Sequence, residues 1–191
     1  MLGTEEVNGK YIQTVNSAPA DLQAILQKQY GTTVIVENHG SGGSNIGDRI
    51  NGTASWYTTP LVNALSTDPA QIVIGNWALN DSAKQNGESV AQYQAYLVDF
   101  VTQVRAAGKI PVLEEPNPMT AVTPLADYVN TMDAVAAQMN VPLIQQYQYI
   151  LSLPNWQSMM SADGAHPLDA LYLIKAQREA AVIGPIVASL Q

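Results

Sequence analysis

The stretch "SADGAHPLDA", residues 161–170, sets an acid three positions ahead of one of only two histidines, with Pro167 closing the turn. Histidine can take and return a proton near neutral pH, which makes His166 a candidate general base and acid. To activate a hydroxyl, it needs its second ring nitrogen held by an acceptor that fixes the tautomer and stabilises the imidazolium. Asp163, curling back within a tight loop, can supply that acceptor. On its own the D-x-x-H spacing also fits a plain polar surface loop. Glu114 and Glu115 offer another carboxylate pair of the kind glycosidases use. Neighbours at a strand end point to opposite sides, however, so they are not expected to act together. His39 could line a pocket, but a structural hydrogen-bonding role is the simpler expectation. A metal centre would need clustered His and carboxylate ligands, and the two histidines lie far apart in sequence. With no cysteine, disulfides, thiolate catalysis and Cys-ligated metals are excluded. No metal or cofactor is expected.

The elements that must position these residues alternate between short β-rich runs and longer helical stretches. Ser17 with Pro19 opens a helix that runs to about Tyr30 and stops at Gly31. "TTVIVEN" (32–38) reads as a buried strand, followed by the glycine-rich loop "HGSGGSNIGD". Thr59–Pro60 begins a short helix to about Leu65, and "AQIVIGN" (70–76) is the second strand. Residues 89–107 carry an amphipathic pattern (Val90, Tyr93, Leu97, Phe100, Val104) that ends before Gly108. "KIPVLEE" is the third strand, 125–139 a helix, "VPLIQQ" (141–146) the fourth strand, and the last helix runs from about 168 to Leu190. Strands alternating with helices of this length predict an α/β fold, a three-layer doubly wound parallel sheet. No repeat, low-complexity tract or linker interrupts it, so residues 1–191 are expected to form a single domain.

The composition narrows the partners. Charged residues are only 13% of the chain, about half the usual share. A net charge of −8 argues against a polyanionic ligand. Lys10, Lys28, Arg49, Lys84, Arg105, Lys109, Lys175 and Arg178 are scattered without a basic cluster, so nucleic-acid binding is not expected. No apolar run approaches the roughly 20 residues of a membrane span, and no signal-peptide pattern opens the sequence. The polar, cysteine-free composition leans toward a secreted mature protein. The oligomeric state is not legible.

In open α/β sheets ligands bind beyond the carboxyl ends of the strands. His39–Ser44, Asn80 and Glu114–Asn117 follow the first three visible strands, and Asp163 and His166 sit in the last loop. In order and spacing, "ENHGSGGSN", "IVIGNWALND" and "DGAHP" resemble the conserved blocks of the SGNH (GDSL-type) hydrolases. The resemblance runs from the first helix to the last. It implies a flavodoxin-like SGNH hydrolase fold and cleavage of small-molecule or carbohydrate-borne carboxylic esters through an acyl-enzyme. By position, Gly43 matches the glycine of N-x-G-x-x-G and Asn80 the asparagine of G-x-N-D, the two oxyanion-hole donors. Asp163 matches the acid and His166 the base. Ala78 stands where the motif has glycine, a change expected to be tolerated because Asn80 carries the donor.

The front of the chain departs from the pattern. The family's first strand ends in Gly-Asp-Ser, which carries the nucleophile. Here Gly3 is followed by Thr4-Glu5-Glu6, and only Met1 and Leu2 precede it. The first strand of the family's five is therefore expected to be missing or replaced, and four strands remain visible. The nucleophile stays open among Thr4, Glu5, Ser41, Ser44 or none. Trp56, Trp77 and Trp156 could stack on a sugar or acyl group, although partial burial in the core is the simpler expectation. Two readings stand: an ester hydrolase, or a catalytically silent ligand-binding or structural module of the same fold.

Overall fold

The computed structural model describes residues 17–83, 88–121 and 123–191, and the backbone of 4–7 and 10–13. The chain divides into two compact units. One comprises Met1–Gly40, Asn117–Ala121 and Gln148–Gln191, and the other Ser41–Pro116 and Val122–Tyr147.

The second unit is built on a parallel sheet. Strands β3 (Ile72–Asn76), β4 (Ile110–Glu114) and β5 (Leu143–Ile144) lie side by side in that order. Val73 registers with Pro111 and Leu113 with Leu143. Helices α2 (Ile46–Asn51), α3 (Leu61–Thr67), α4 (Val90–Ala106) and α5 (Leu125–Met139) complete the unit. In α4 the buried residues are Tyr93, Leu97, Phe100, Val101 and Val104, a stripe at helical spacing that packs on β4 and against α5. Ser89 and Gln92 cap its start reciprocally, each side chain serving the other's backbone N–H. The face of α5 that carries Tyr128, Val129, Met132, Val135 and Ala136 is buried as well. Trp77 packs edge-on against Phe100, with ring centroids 4.9 Å apart.

The first unit pairs α1 (Ala18–Tyr30) with the long α7 (Asp169–Leu190). Leu22 and Leu26, one turn apart, are both 2% exposed. Gly184 lets the two helices approach, since a β-carbon there would sit 2.8 Å from the Tyr30 hydroxyl. Ile150 of α6 (Tyr147–Ser152), Trp156, Met160 and Leu171 form a second apolar cluster.

Two expectations change. "TTVIVEN" is not a strand: among the described residues nothing ladders with it, and Ile35 is 66% exposed. Two glutamines of α1 take over part of a neighbour strand's work. Gln27 Nε2 donates to Val34 O at 2.8 Å, and Val36 N donates to Gln23 Oε1 at 2.8 Å. β-branched residues favour extended backbone, but only a paired strand makes a sheet. The parallel sheet thus has three described strands rather than four. Second, the glycine-rich loop contains a helix, α2, started by a reciprocal cap between Asn45 and Asp48. At the front of the chain, Thr4–Val7 (β1) pairs antiparallel with Lys10–Gln13 (β2) in a separate two-stranded sheet and, among the described residues, joins no parallel strand. Gly3, which aligns with the glycine of the family's Gly-Asp-Ser, lies outside the described residues.

Candidate functional site

In the first unit, residues 160–168 close on themselves. Met160 bridges Pro167, Ser161 N donates to His166 O at 2.8 Å, and Gly164 N donates to Ser161 O at 2.9 Å. The chain turns so tightly because Gly164 adopts a left-handed φ of +69°. Within this loop Asp163 Oδ1 accepts from Ala165 N (2.8 Å), from His166 N (3.0 Å) and from the Ser161 hydroxyl. Its Oδ2 meets His166 Nδ1 at 2.6 Å. The sequence expectation that the acid curls back onto the histidine is what the geometry has. With Nδ1 held by the carboxylate, Nε2 is the nitrogen such a pair uses for proton exchange.

The loop is also pinned from outside. Asn117, 3% exposed, donates its Nδ2 to Ala165 O at 2.9 Å, and Thr120 N donates to Gly164 O at 2.9 Å. Partial burial works against the Asp163 charge. The Ser161 hydroxyl, the N–H groups of His166 and Ala165 and the His166 ring outweigh it, so the carboxyl is held below the ordinary range. Ser161, Asn117 and Thr120 were not singled out in the sequence as supports for this pair. A hydroxyl two residues before an Asx turn is the only local signal, and the other two contacts come from far along the chain.

Gly43 and Asn80 belong to the second unit. Asn80 lies in the turn after β3 and donates its Nδ2 to Ser44 O at 2.9 Å, so this turn and the Gly43 loop are brought together. Gly43 has φ +75°, with no atom close to where a β-carbon would stand. Ala78 stands two positions before Asn80. It is fully buried with φ +100°, so the position does ask for glycine, and alanine there carries backbone strain of about 1–3 kcal/mol. Asp81 holds it in place, accepting Ala78 N at 2.7 Å on one carboxylate oxygen and Ile46 N at 2.8 Å on the other.

The remaining candidates divide by their contacts. Ser44 Oγ donates to Ser41 O at 2.7 Å, and Ser41 Oγ accepts from Trp56 N at 3.3 Å. Thr4 and Glu5 lie in β1, where only the backbone is described. His39 is exposed and bonds Glu37 at 3.1 Å. Glu114 and Glu115 are both buried and serve the chain itself. Gln146 Nε2 donates to Glu114 at 3.1 Å, and Glu115 Oε2 accepts from Gln146 N and Tyr147 N at 2.9 and 2.7 Å. Burial, followed by a hydrogen bond with Asp133 and its charge, pushes the Glu115 carboxyl up to about 7 against the two backbone bonds. Trp156 is core and Trp77 packs on Phe100, whereas Trp56 is 69% exposed.

No protein-family model and no curated protein matches the chain. Solved structures do. A lipase/acylhydrolase from Enterococcus faecalis superposes with a TM-score of 0.67 at 19% identity, over 86% of this chain and 85% of that one. An acetyl xylan esterase variant from Geobacillus stearothermophilus gives 0.69 at 19%, over 88% and 82%. A protein described as lipolytic and of the G-D-S-L family, from Desulfitobacterium hafniense, gives 0.66 at 17%, over 87% of each. Identities this low speak to architecture, and the architecture agrees with what the three sequence blocks resemble. The chain has the SGNH (GDSL-type) hydrolase fold.

Proposed function

We propose that the chain is an SGNH-type hydrolase acting on carboxylic esters, with His166 as general base and acid and Asp163 as the residue that orients it. The observation that carries this reading is the Asp163–His166 pair. An ionised carboxylate with three other donors fixed on it holds one ring nitrogen at 2.6 Å. In this reading Gly43 N and Asn80 Nδ2 receive the oxyanion as the ester carbonyl becomes tetrahedral, each donor contributing about 3–4 kcal/mol in the transition state. An alcohol leaves with the proton returned by His166, and with a hydroxyl nucleophile the acyl group stays on the chain until water removes it. The fold's neighbours include an acetyl xylan esterase, which supports a small or carbohydrate-borne acyl ester as substrate. The nucleophile is not assigned among Thr4, Glu5, Ser41 and Ser44. Without one, His166 can still activate water directly.

The absence of Asp-Ser after Gly3 favours a second reading, a silent ligand-binding or structural module. Hydrolysis of a short-chain aryl ester separates the two when the chain is compared with its His166→Ala variant. Turnover lost in the variant supports the hydrolase, and equal rates in both sink it.

A further inference from the structure

We propose that Asp81 is a positioning residue for the Asn80 turn, and that Glu88 makes this possible by holding a proton between the two carboxyl groups. The catalytic consequence rests on the hydrolase reading, whereas the structural claim does not.

Asp81 is 1% exposed, and each of its oxygens takes one backbone N–H. Oδ1 takes Ile46 N, the first residue of α2, and Oδ2 takes Ala78 N. A single carboxylate thus fastens the end of the Gly43 loop to a residue two positions before Asn80. The Asn80 Nδ2 bond to Ser44 O is a second strap across the same gap. Ala78 needs such fastening, because its positive φ is one that alanine leaves when nothing holds it.

The surroundings of Asp81 are acidic. Glu88 stands just ahead of α4, Tyr93 of α4 and Tyr128 of α5 feel the charges of both, Asp133 of α5 acts on Tyr93, and Asp48 of α2 acts on Glu88. Glu88 Oε2 is buried and accepts no hydrogen bond, and the Tyr93 hydroxyl is buried without a partner. Two ionised carboxylates would both be acceptors and would repel. A proton on Glu88 lets its carboxyl donate to Asp81 and leaves the Asp81 charge to its two N–H groups. Gly47 N serves Glu88 as well. Burial first, then the charge of Asp81, pushes the Glu88 carboxyl up to about 8. Burial also raises Asp81, while its bonds from Ile46, Ala78 and Glu88 pull it back. Above that pH the proton leaves, a second buried negative charge appears, and the straps on Ala78 and Ile46 loosen.

The test is a pH series of ¹H–¹⁵N NMR spectra of the whole chain from pH 5 to 10, following the Ile46 and Ala78 amides and the Asn80 side-chain amide. All three are expected to titrate together near pH 8. Glu88→Gln, whose amide still donates to Asp81, should hold them at their low-pH positions throughout. A flat wild-type series, or an unchanged titration in Glu88→Gln, overturns the proposal. Ester turnover forms a separate arm. Its kcat is expected to fall roughly 10- to 100-fold across the same transition, and not in Glu88→Gln, with KM little changed. Turnover that falls equally in Glu88→Gln refutes the positioning role. No turnover at any pH counts against the hydrolase reading alone, since the spectra decide the structural claim by themselves.

Discussion

Gly164 carries the geometry of the Asp163–His166 pair, and replacing it with alanine tests the whole construction of that loop. Two costs can be separated. Its φ of +69° is one that an L-residue holds at about 1–2 kcal/mol. Alanine's lower chain entropy when unfolded returns about 0.4–1 kcal/mol, which leaves a conformational cost near 1 kcal/mol. The second cost is steric. A β-carbon at 164 would overlap Thr120 Oγ1 and stand 3.2 Å from Thr120 Cβ. Thr120 cannot simply back away, because its N–H is bonded to Gly164 O. Forcing one carbon into a packed contact adds about 1–3 kcal/mol.

The total expected for Gly164→Ala is therefore about 2–4 kcal/mol of destabilisation, read from equilibrium urea unfolding. Thr120→Ala removes the hydroxyl that would be struck, so in that background Gly164→Ala should cost only about 1 kcal/mol. The coupling between the two sites is then about 1–3 kcal/mol, in the range found for residues in contact. The His166 ring resonances should shift in Gly164→Ala, because the N–H groups of Ala165 and His166 leave their places on Asp163. A cost below about 0.5 kcal/mol, or the same cost with and without the Thr120 hydroxyl, would refute the reasoning.

Three other outcomes follow from the structure. Asp163→Asn should lower any ester turnover by about 10³–10⁴-fold, since the wrong tautomer is then favoured at His166; kcat measured against a fold check by circular dichroism decides it. Stability should peak near pH 4–5. Asp163, held below its ordinary 3.8, contributes above that value and loses its contribution as pH falls through the acid range. Glu88 and Glu115, raised from 4.5 to about 8 and about 7, contribute fully below 4.5, and their contributions are lost as pH rises through those values. Urea midpoints at pH 3, 5 and 9 show whether the curve bends in this way, and Glu88→Gln with Glu115→Gln should flatten its alkaline side. Finally, a hydrophobic strand ending in Gly-Asp-Ser placed ahead of Thr4 should raise ester turnover steeply and create one fluorophosphonate-labelled serine per chain. Efficient labelling of the unaltered chain would contradict the expectation that this serine is what it lacks.

Helices were legible in the sequence because each carries its own evidence. Tyr93, Leu97, Phe100 and Val104 repeat at helical spacing, and Ser17–Pro19 and Gly31 punctuate α1. The Asp163–His166 pair was legible because a three-residue separation around a glycine closes locally. What failed needed information from elsewhere in the chain. Val34–Val36 has strand composition, yet a strand exists only if another pairs with it, and glutamines 23 and 27 of the neighbouring helix hold this segment instead. α2 was hidden because its cap, Asn45 with Asp48, sits inside a run of glycine and serine that reads as loop. The supports Asn117 and Thr120 lie more than 40 residues before the loop they hold, and nothing local marks them. Ala78 could not be weighed at all until its φ was known.

The distribution of charge in this acidic chain bears on function as well. The chain has 16 acidic and 8 basic residues. It treats its carboxyls in two opposite ways. Glu88 faces Asp81 and Glu115 faces Asp133, and there burial and a neighbouring acid favour the protonated form. Holding a proton on one member of such a pair avoids placing two like charges side by side inside a packed unit. Asp163 is treated the other way: it is partly exposed, given one hydroxyl and two N–H groups, and set against a histidine. Such a carboxylate stays ionised throughout the range in which histidine titrates, so a proton taken up by His166 meets a fixed negative charge at Nδ1. Environments that push carboxyls this far apart separate groups that hold the fold from a group that can serve proton transfer. By that physical criterion the 161–167 loop supports the role proposed above for Asp163 and His166.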